Sequence, residues 1–181
     1  MTDAPVVFGS SVEALARVIG PKLTPELKAQ FAALGFDLAR PDPAYPYEAW
    51  VKALELTLRE LYPGESEERA TYLLGRALFD SYGTTMIGRA LMQMLKVLGP
   101  RRALHRMARN LRTTNNYSDT RLTEHGDRHA ELWINKARFP EYFRGLISEG
   151  LEFTGAREVQ VTVKARGAPP DESIVFEVRW S

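Results

Sequence analysis

Val159-Gln160-Val161-Thr162-Val163-Lys164 and Ile174-Val175-Phe176-Glu177-Val178-Arg179-Trp180 are the stretches whose reading decides the fold. In the first run, valines alternate with Gln160, Thr162 and Lys164. In the second, Ile174, Phe176, Val178 and Trp180 alternate with Val175, Glu177 and Arg179. Side chains of a strand point to opposite faces with period two, so each run reads as a strand with one apolar and one mostly polar face. Gly167-Ala168-Pro169-Pro170-Asp171 is the loop between them. The pattern predicts that 159–165 and 173–180 pair as an antiparallel hairpin, with Val161, Val163, Phe176 and Val178 buried. An apolar sheet face must be covered. The nearest cover is a helix at 141–154, where Phe143, Leu146, Ile147 and Leu151 fall at helical spacing.

Upstream of that helix a second hairpin is expected, from Tyr117–Thr123 and Arg128–Asn135, with its turn at His125-Gly126-Asp127. Before Arg112 the period is helical. Ser10 or Ser11 can cap a helix carrying Val12, Leu15 and Ile19. Thr24-Pro25-Glu26 opens a second helix, whose stripe of Leu27, Phe31 and Leu34 ends at Gly35. Pro41, Pro43 and Pro46 make 37–46 a connecting loop, and the next helix carries Trp50, Leu54, Leu58 and Leu61. Ser66-Glu67-Glu68 starts a further helix up to Gly83, with acids at its positive end. Thr84 or Thr85 caps a segment holding Met86, Ile87, Ala90, Leu91, Met94, Leu95 and Leu98. Apolar around most of its circumference, it predicts a central helix buried on several sides. Gly99-Pro100 breaks it, and a last helix runs to Arg112. The fold class is therefore α+β. A helical portion, about 1–112, precedes β-hairpin, helix and β-hairpin in one antiparallel sheet, about 113–181, and 1–181 reads as a single domain.

Of the 181 residues, 44% are hydrophobic and 26% charged, an ordinary globular balance with enough apolar side chain for a core. Lys and Arg number 24 against 23 Asp and Glu, a net charge of +1, so bulk charge does not make the chain a polyanion binder. With no cysteine there is no disulfide, thiolate metal site or cysteine nucleophile. No apolar run reaches the ~20 residues of a membrane span. The start, Met1-Thr2-Asp3-Ala4-Pro5, leads into no signal-type apolar region, so a cytoplasmic location without membrane contact is expected.

Several phrases are shared with a paralogous family of domains of unknown function from myxobacteria, which the chain resembles over nearly its whole length. They are Tyr45-Pro46-Tyr47-Glu48-Ala49-Trp50, Leu61-Tyr62-Pro63-Gly64, Leu74-Gly75-Arg76, Ile87-Gly88-Arg89-Ala90, Leu98-Gly99-Pro100-Arg101-Arg102, Asn115-Asn116-Tyr117 and Phe176-Glu177-Val178-Arg179-Trp180. At the level of fold the order of elements is also similar to the haem-nitric-oxide-binding domain and to vinyl-reductase-type and TRAPP-like domains. The haem-binding relatives use a Tyr-x-Ser-x-Arg motif for the propionates and an axial histidine on an upstream helix. Here Tyr117-Ser118-Asp119-Thr120-Arg121 puts an acid in the middle position, and 84–98 holds no histidine. Neither feature suits haem, and no cofactor is expected.

The most unusual local feature is a basic amphipathic helix. Arg101, Arg102, His105, Arg106, Arg109 and Arg112 lie between 99 and 112 with no acid among them, opposite Leu104, Met107, Ala108 and Leu111. A solvated or internally paired face is the plain reading. A site for an acidic protein partner or a small anionic ligand is the functional one, because arginine forks suit carboxylates and phosphates. Nucleic acid is the alternative, disfavoured because no binding motif accompanies the patch. His125, Asp127 and His129 could gather in their hairpin as a divalent-metal site and support a metal-dependent enzyme, but the spacing matches no established site, so no metal is assigned. Gly-x-Gly-x-x-Gly, P-loop, His-Glu-x-x-His and Gly-x-Ser-x-Gly motifs are all absent. The sequence therefore predicts a non-catalytic binding or regulatory module for a protein partner or small ligand, compatible with a homodimer.

Overall fold

The computed structural model describes residues 4–168 and 170–181, and among these every side chain except that of Ile87. Met1–Asp3 of the acidic start, Pro169 of the loop and the Ile87 side chain lie outside the described residues. The elements run β1 (Val6–Phe8), α1 (Gly9–Ile19), α2 (Pro25–Ala33), β2 (Ala44–Pro46), α3 (Tyr47–Leu61), α4 (Glu67–Tyr82), α5 (Met86–Asn110), β3 (Thr120–Gly126), β4 (His129–Ile134), α6 (Pro140–Phe153), β5 (Gln160–Arg166) and β6 (Ile174–Arg179). The fold is α+β: helices precede and separate two antiparallel hairpins, which join as a four-stranded sheet of order β3-β4-β6-β5. Among the described residues no helix is long and apolar enough to cross a membrane.

Local chemistry explains most helix starts. The hydroxyls of Thr24, Ser66 and Thr85 accept from the N–H groups of Leu27, Arg69 and Gly88, each three residues on. Helix α1 departs from expectation. Neither Ser10 nor Ser11 caps it; the flanking residue is Phe8, which has no side-chain cap. The chain turns directly from β1 into α1, and the Gly9 N–H donates to the Pro43 carbonyl at 2.9 Å. The expected loop at 37–46 ends in a strand, since Ala44–Pro46 pairs antiparallel with Val6–Phe8. Three residues are too few for a readable period.

The sheet carries the expected β5–β6 hairpin, with Val161 opposite Val178 and Val163 opposite Phe176. Val161, Phe176 and Val178 are buried, whereas Val163 is half-buried beside a register shift between Val163 and Ala165. The β3–β4 hairpin turns at Asp127–Arg128, with Gly126 still paired to His129. The expected central helix is the clearest correction. Within 86–98, Met92 and Leu95 turn inward, but Met86 and Val97 are 81% and 87% exposed. Gly99, at φ +72°, leaves helical geometry and redirects the chain. The stretch 100–110 then takes the interior place, burying Ala103, Leu104, Met107 and Ala108.

Two apolar cores result. One lies beneath the sheet against 103–108 and α6, the other among the helices α1 to α4. They are joined where α4 crosses α6 at Gly75 and Gly145. A Cβ on Gly75 would overlap the Tyr142 carbonyl, and one on Gly145 would overlap the Tyr72 carbonyl. Only hydrogen at both positions lets the backbones approach this closely.

Phe176 is fully buried in the sheet core, its ring 6.3 Å from that of Phe143. Phe176→Ala should cost about 3–5 kcal/mol in denaturant unfolding, the range for a buried aromatic.

Candidate functional site

Three asparagines fix the backbone behind the helical layer. The buried Asn115 accepts from the Tyr117 and Ser118 N–H groups at 3.1 and 2.7 Å, and its amide donates to the Leu111 carbonyl. Asn116 accepts from Val6 N–H at 2.8 Å, tying this turn to β1. Asn135 accepts from Asp119 N–H and donates to the Tyr117 carbonyl, tying it to the end of β4. Tyr117, gripped from both sides, enters a cavity of about 50 Å³ that Tyr47, Trp50, Phe139, Tyr142 and Phe143 also line. Lys136 and Arg138 are in the wall, and no carboxylate is among the lining residues. A second cavity of about 90 Å³ adjoins it, sharing Trp50 and Tyr142. Its walls include Leu78, Phe79, Leu91, Met92, Met107 and Leu146, and no charged side chain.

The phenols of this site differ in what they bond. The Tyr47 hydroxyl donates to Glu172 Oε2 at 3.2 Å, its ring meets that of Tyr117 edge-on at 4.8 Å, and the Lys136 ammonium sits 5.1 Å from its centre. The hydroxyls of Tyr117 and Tyr142 make no hydrogen bond among the described residues. No buried side-chain nitrogen or oxygen there lacks a partner, so both hydroxyls keep an accessible face while their side chains line the cavity. Burial pushes the Tyr142 phenol up to about 12. Burial, with Tyr47, Tyr142 and Glu172 nearby, pushes Tyr117 up as well. Both are neutral donors at pH 7.

The residues singled out from sequence lie elsewhere. Arg101 forks onto Glu124 with two bonds of 2.7 Å and reaches Asp127 at 2.9 Å; His105 Nε2 meets Glu124 at 2.8 Å. Arg112 bonds Asp119 at 2.9 Å. Half of the basic face is thus the internally paired surface of the plain reading. Arg102, Arg106 and Arg109 are exposed and form no ion pair among the described residues. In the β3–β4 hairpin the rings of His125 and His129 lie 4.9 Å apart, but they pair with Glu131 and Glu177 respectively. Asp127, 88% exposed at its side chain, turns to Arg101 instead. His125, Asp127 and His129 do not converge, and no group of three or more metal-capable side chains occurs among the described residues.

Haem does not fit these residues. Tyr117 faces the cavity, but Asp119 is held by Arg112, and Arg121 stacks on Trp133 at 4.6 Å on the outer sheet face. The three histidines stand on the basic helix and the outer hairpin, away from both cavities. Tyr82, Met92 and Met107 line the larger cavity, yet both spaces fall well below the roughly 300–1,000 Å³ of a drug-sized pocket.

The architecture defines an H-NOX-like fold. An H-NOX protein from K. algicida in its unliganded Fe(II) form superposes with a TM-score of 0.63 at 10% identity, covering 96% of this chain and 96% of that one. A Tt H-NOX carrying two substitutions to phenylalanine gives 0.62 at 12%, covering 96% and 95%. An oxygen-binding H-NOX domain related to soluble guanylate cyclases gives 0.61 at 14%, covering 96% and 92%. At these identities the likeness is one of fold. By sequence, the chain belongs to DUF2378, a family of proteins of unknown function, whose model matches residues 5–181. No curated protein matches it.

Sequence reasoning missed the cavity residues. Asn115-Asn116-Tyr117 stood out as a phrase without showing what it holds, and Tyr142 sits one residue before an apolar stripe that explains its neighbours. The charged surface was more legible and has a pH signature. Arg101 and then His105 hold Glu124 down to about 2, from its ordinary 4.5; Lys164 lowers Glu131 and Arg179 lowers Glu177. A lowered carboxylate contributes stability that is complete above 4.5 and lost as pH falls through the folded value. The urea midpoint should therefore fall between pH 5 and pH 2, and Glu124→Gln should reduce that fall while lowering the midpoint at pH 7.

Proposed function

We propose that this chain is a non-catalytic regulatory module that binds a small ligand in the paired cavities between its helical layer and α6. One observation carries the reading: the Tyr117 and Tyr142 side chains line an aromatic-walled cavity, and their accessible hydroxyls make no hydrogen bond among the described residues. A ligand that displaces water from these hydroxyls must offer an acceptor in its place, because a polar group taken from water without a partner is unfavourable. A binding rather than catalytic role is supported by the lining, which among the described residues holds neither histidine nor carboxylate in either cavity. The H-NOX-like fold is consistent with a ligand seated inside the domain, though with different side chains and a different occupant. A fragment library should produce saturable shifts in the NMR signals of Trp50, Tyr117, Tyr142 and Met107. Shifts confined to the outer surface would contradict the proposal. Added hemin should give no stoichiometric complex with a sharp Soret band.

Arg102, Arg106 and Arg109 favour a second role, docking of an acidic protein surface. They lie at i, i+4 and i+7 on one exposed face, with no carboxylate engaged among the described residues. Random-sequence DNA and RNA should bind no tighter than ~10⁻⁶ M at physiological salt, the non-specific range. Fluorescence anisotropy over a salt series reads this directly. Nanomolar binding abolished by reversing the three charges would make the surface a nucleic-acid site instead.

A further inference from the structure

The two cavities differ in chemistry along one line. Lys136, Arg138 and Tyr117 line the first, bounded by the β4–α6 connection; Leu78, Met92 and Met107 line the second. Trp50 and Tyr142 belong to both spaces and mark the boundary. We infer that the occupant is a small amphipathic monoanion, a carboxylate on a single ring or short branched chain. Its head group meets Lys136 and the two phenols, and its apolar part points toward Trp50 and Met107. The inference rests on the ligand-binding reading above and specifies its chemistry.

Charge decides the sign. Among the described residues the wall of the first cavity holds two cations and no carboxylate. Lys136 has no ion pair among the described residues and rests its ammonium on the Tyr47 ring. Arg138 reaches Glu55 only at 3.8 Å, with both side chains partly exposed, so it is weakly engaged. Glu172, the nearest acid, is occupied: its carboxylate accepts from the Tyr47 hydroxyl and its backbone carbonyl from Ala137 N–H. Aromatic walls alone would also suit a cation, but the Lys136 ammonium already lies over the Tyr47 face. The phenols, neutral at pH 7, can donate to an anion, and hydrogen bonds to a charged acceptor are the stronger kind.

Volume decides the size. Spaces of about 50 and about 90 Å³ are each smaller than the ~150 Å³ engineered apolar cavity that admits benzene, so the occupant must lie across both. The fit is a one-ring or branched short-chain acid, without the bulk of a long acyl chain or a nucleotide.

The test uses the full chain and three probe pairs: benzoate with benzamide, phenylacetate with phenylacetamide, and 3-methylbutanoate with its amide. Titration calorimetry and Tyr/Met NMR shifts report affinity and place. At least one acid should bind about tenfold or more tightly than its amide, as expected when a charge-assisted contact is lost. Lys136→Met and Tyr142→Phe should each remove most of that preference, with thermal unfolding showing both variants folded. An amide that binds as tightly as its acid overturns the anion and leaves the ligand site standing. Failure of all six compounds, with toluene failing too, overturns the site itself. An acid whose binding survives Lys136→Met and Tyr142→Phe but is lost in Arg102→Glu also overturns the inference, since it would sit on the outer basic face.

Discussion

The crossing of α4 and α6 at Gly75 and Gly145 is the contact on which the rest of the structure depends. Each glycine lies against a carbonyl of the other helix, that of Tyr142 or Tyr72, at a separation that leaves no room for a side-chain carbon. The crossing joins two cores that are otherwise built from different parts of the chain. It also positions Tyr142, whose carbonyl is pressed by Gly75 while its side chain lines both cavities. Close packing of the two helices and placement of the internal phenol are therefore one constraint, since the backbone that makes the contact carries the side chain.

Polar chemistry is divided between the inside and the outside of the sheet. On the outer face Glu131 lies directly opposite Glu177, a like-charge pair that would repel if left alone. Lys164 and Arg179 bring positive charge to it and offset the repulsion, and His125 and His129 contact the same carboxylates. Arg101 and His105 clamp the same hairpin through Glu124. These bonds are exposed, and each contributes little by itself. Inside, every buried side-chain nitrogen and oxygen among the described residues has a partner, whereas the Tyr117 and Tyr142 hydroxyls keep an accessible face and make no hydrogen bond to the protein there.

How much of this could be read from the residues follows from the range of each interaction. The β5–β6 hairpin and α6 announce themselves through alternation and helical spacing, and the caps at Thr24, Ser66 and Thr85 through short-range chemistry. The strand at Ala44–Pro46 forms because Val6–Phe8, far away in sequence, pairs with it. The segment 86–98 carries an apolar pattern that tertiary packing does not use, because positive φ at Gly99 sends 100–110 into the interior instead. The basic residues were visible as a cluster, but their acidic partners come from β3 and its turns. Tyr47, Tyr117, Lys136 and Tyr142 come from four segments and meet only in the folded chain, so no spacing could reveal the cavity.

The most direct test of the central crossing is a double-mutant cycle with Gly75→Ala and Gly145→Ala, read by urea unfolding. Each single change should destabilise by about 1–3 kcal/mol through overpacking. The pair should cost less than the sum, because helices already forced apart by one methyl meet less overlap from the second. Full additivity would contradict a shared contact. So would a gain of up to ~1 kcal/mol per site, the helix-propensity advantage of alanine expected where nothing touches the glycine.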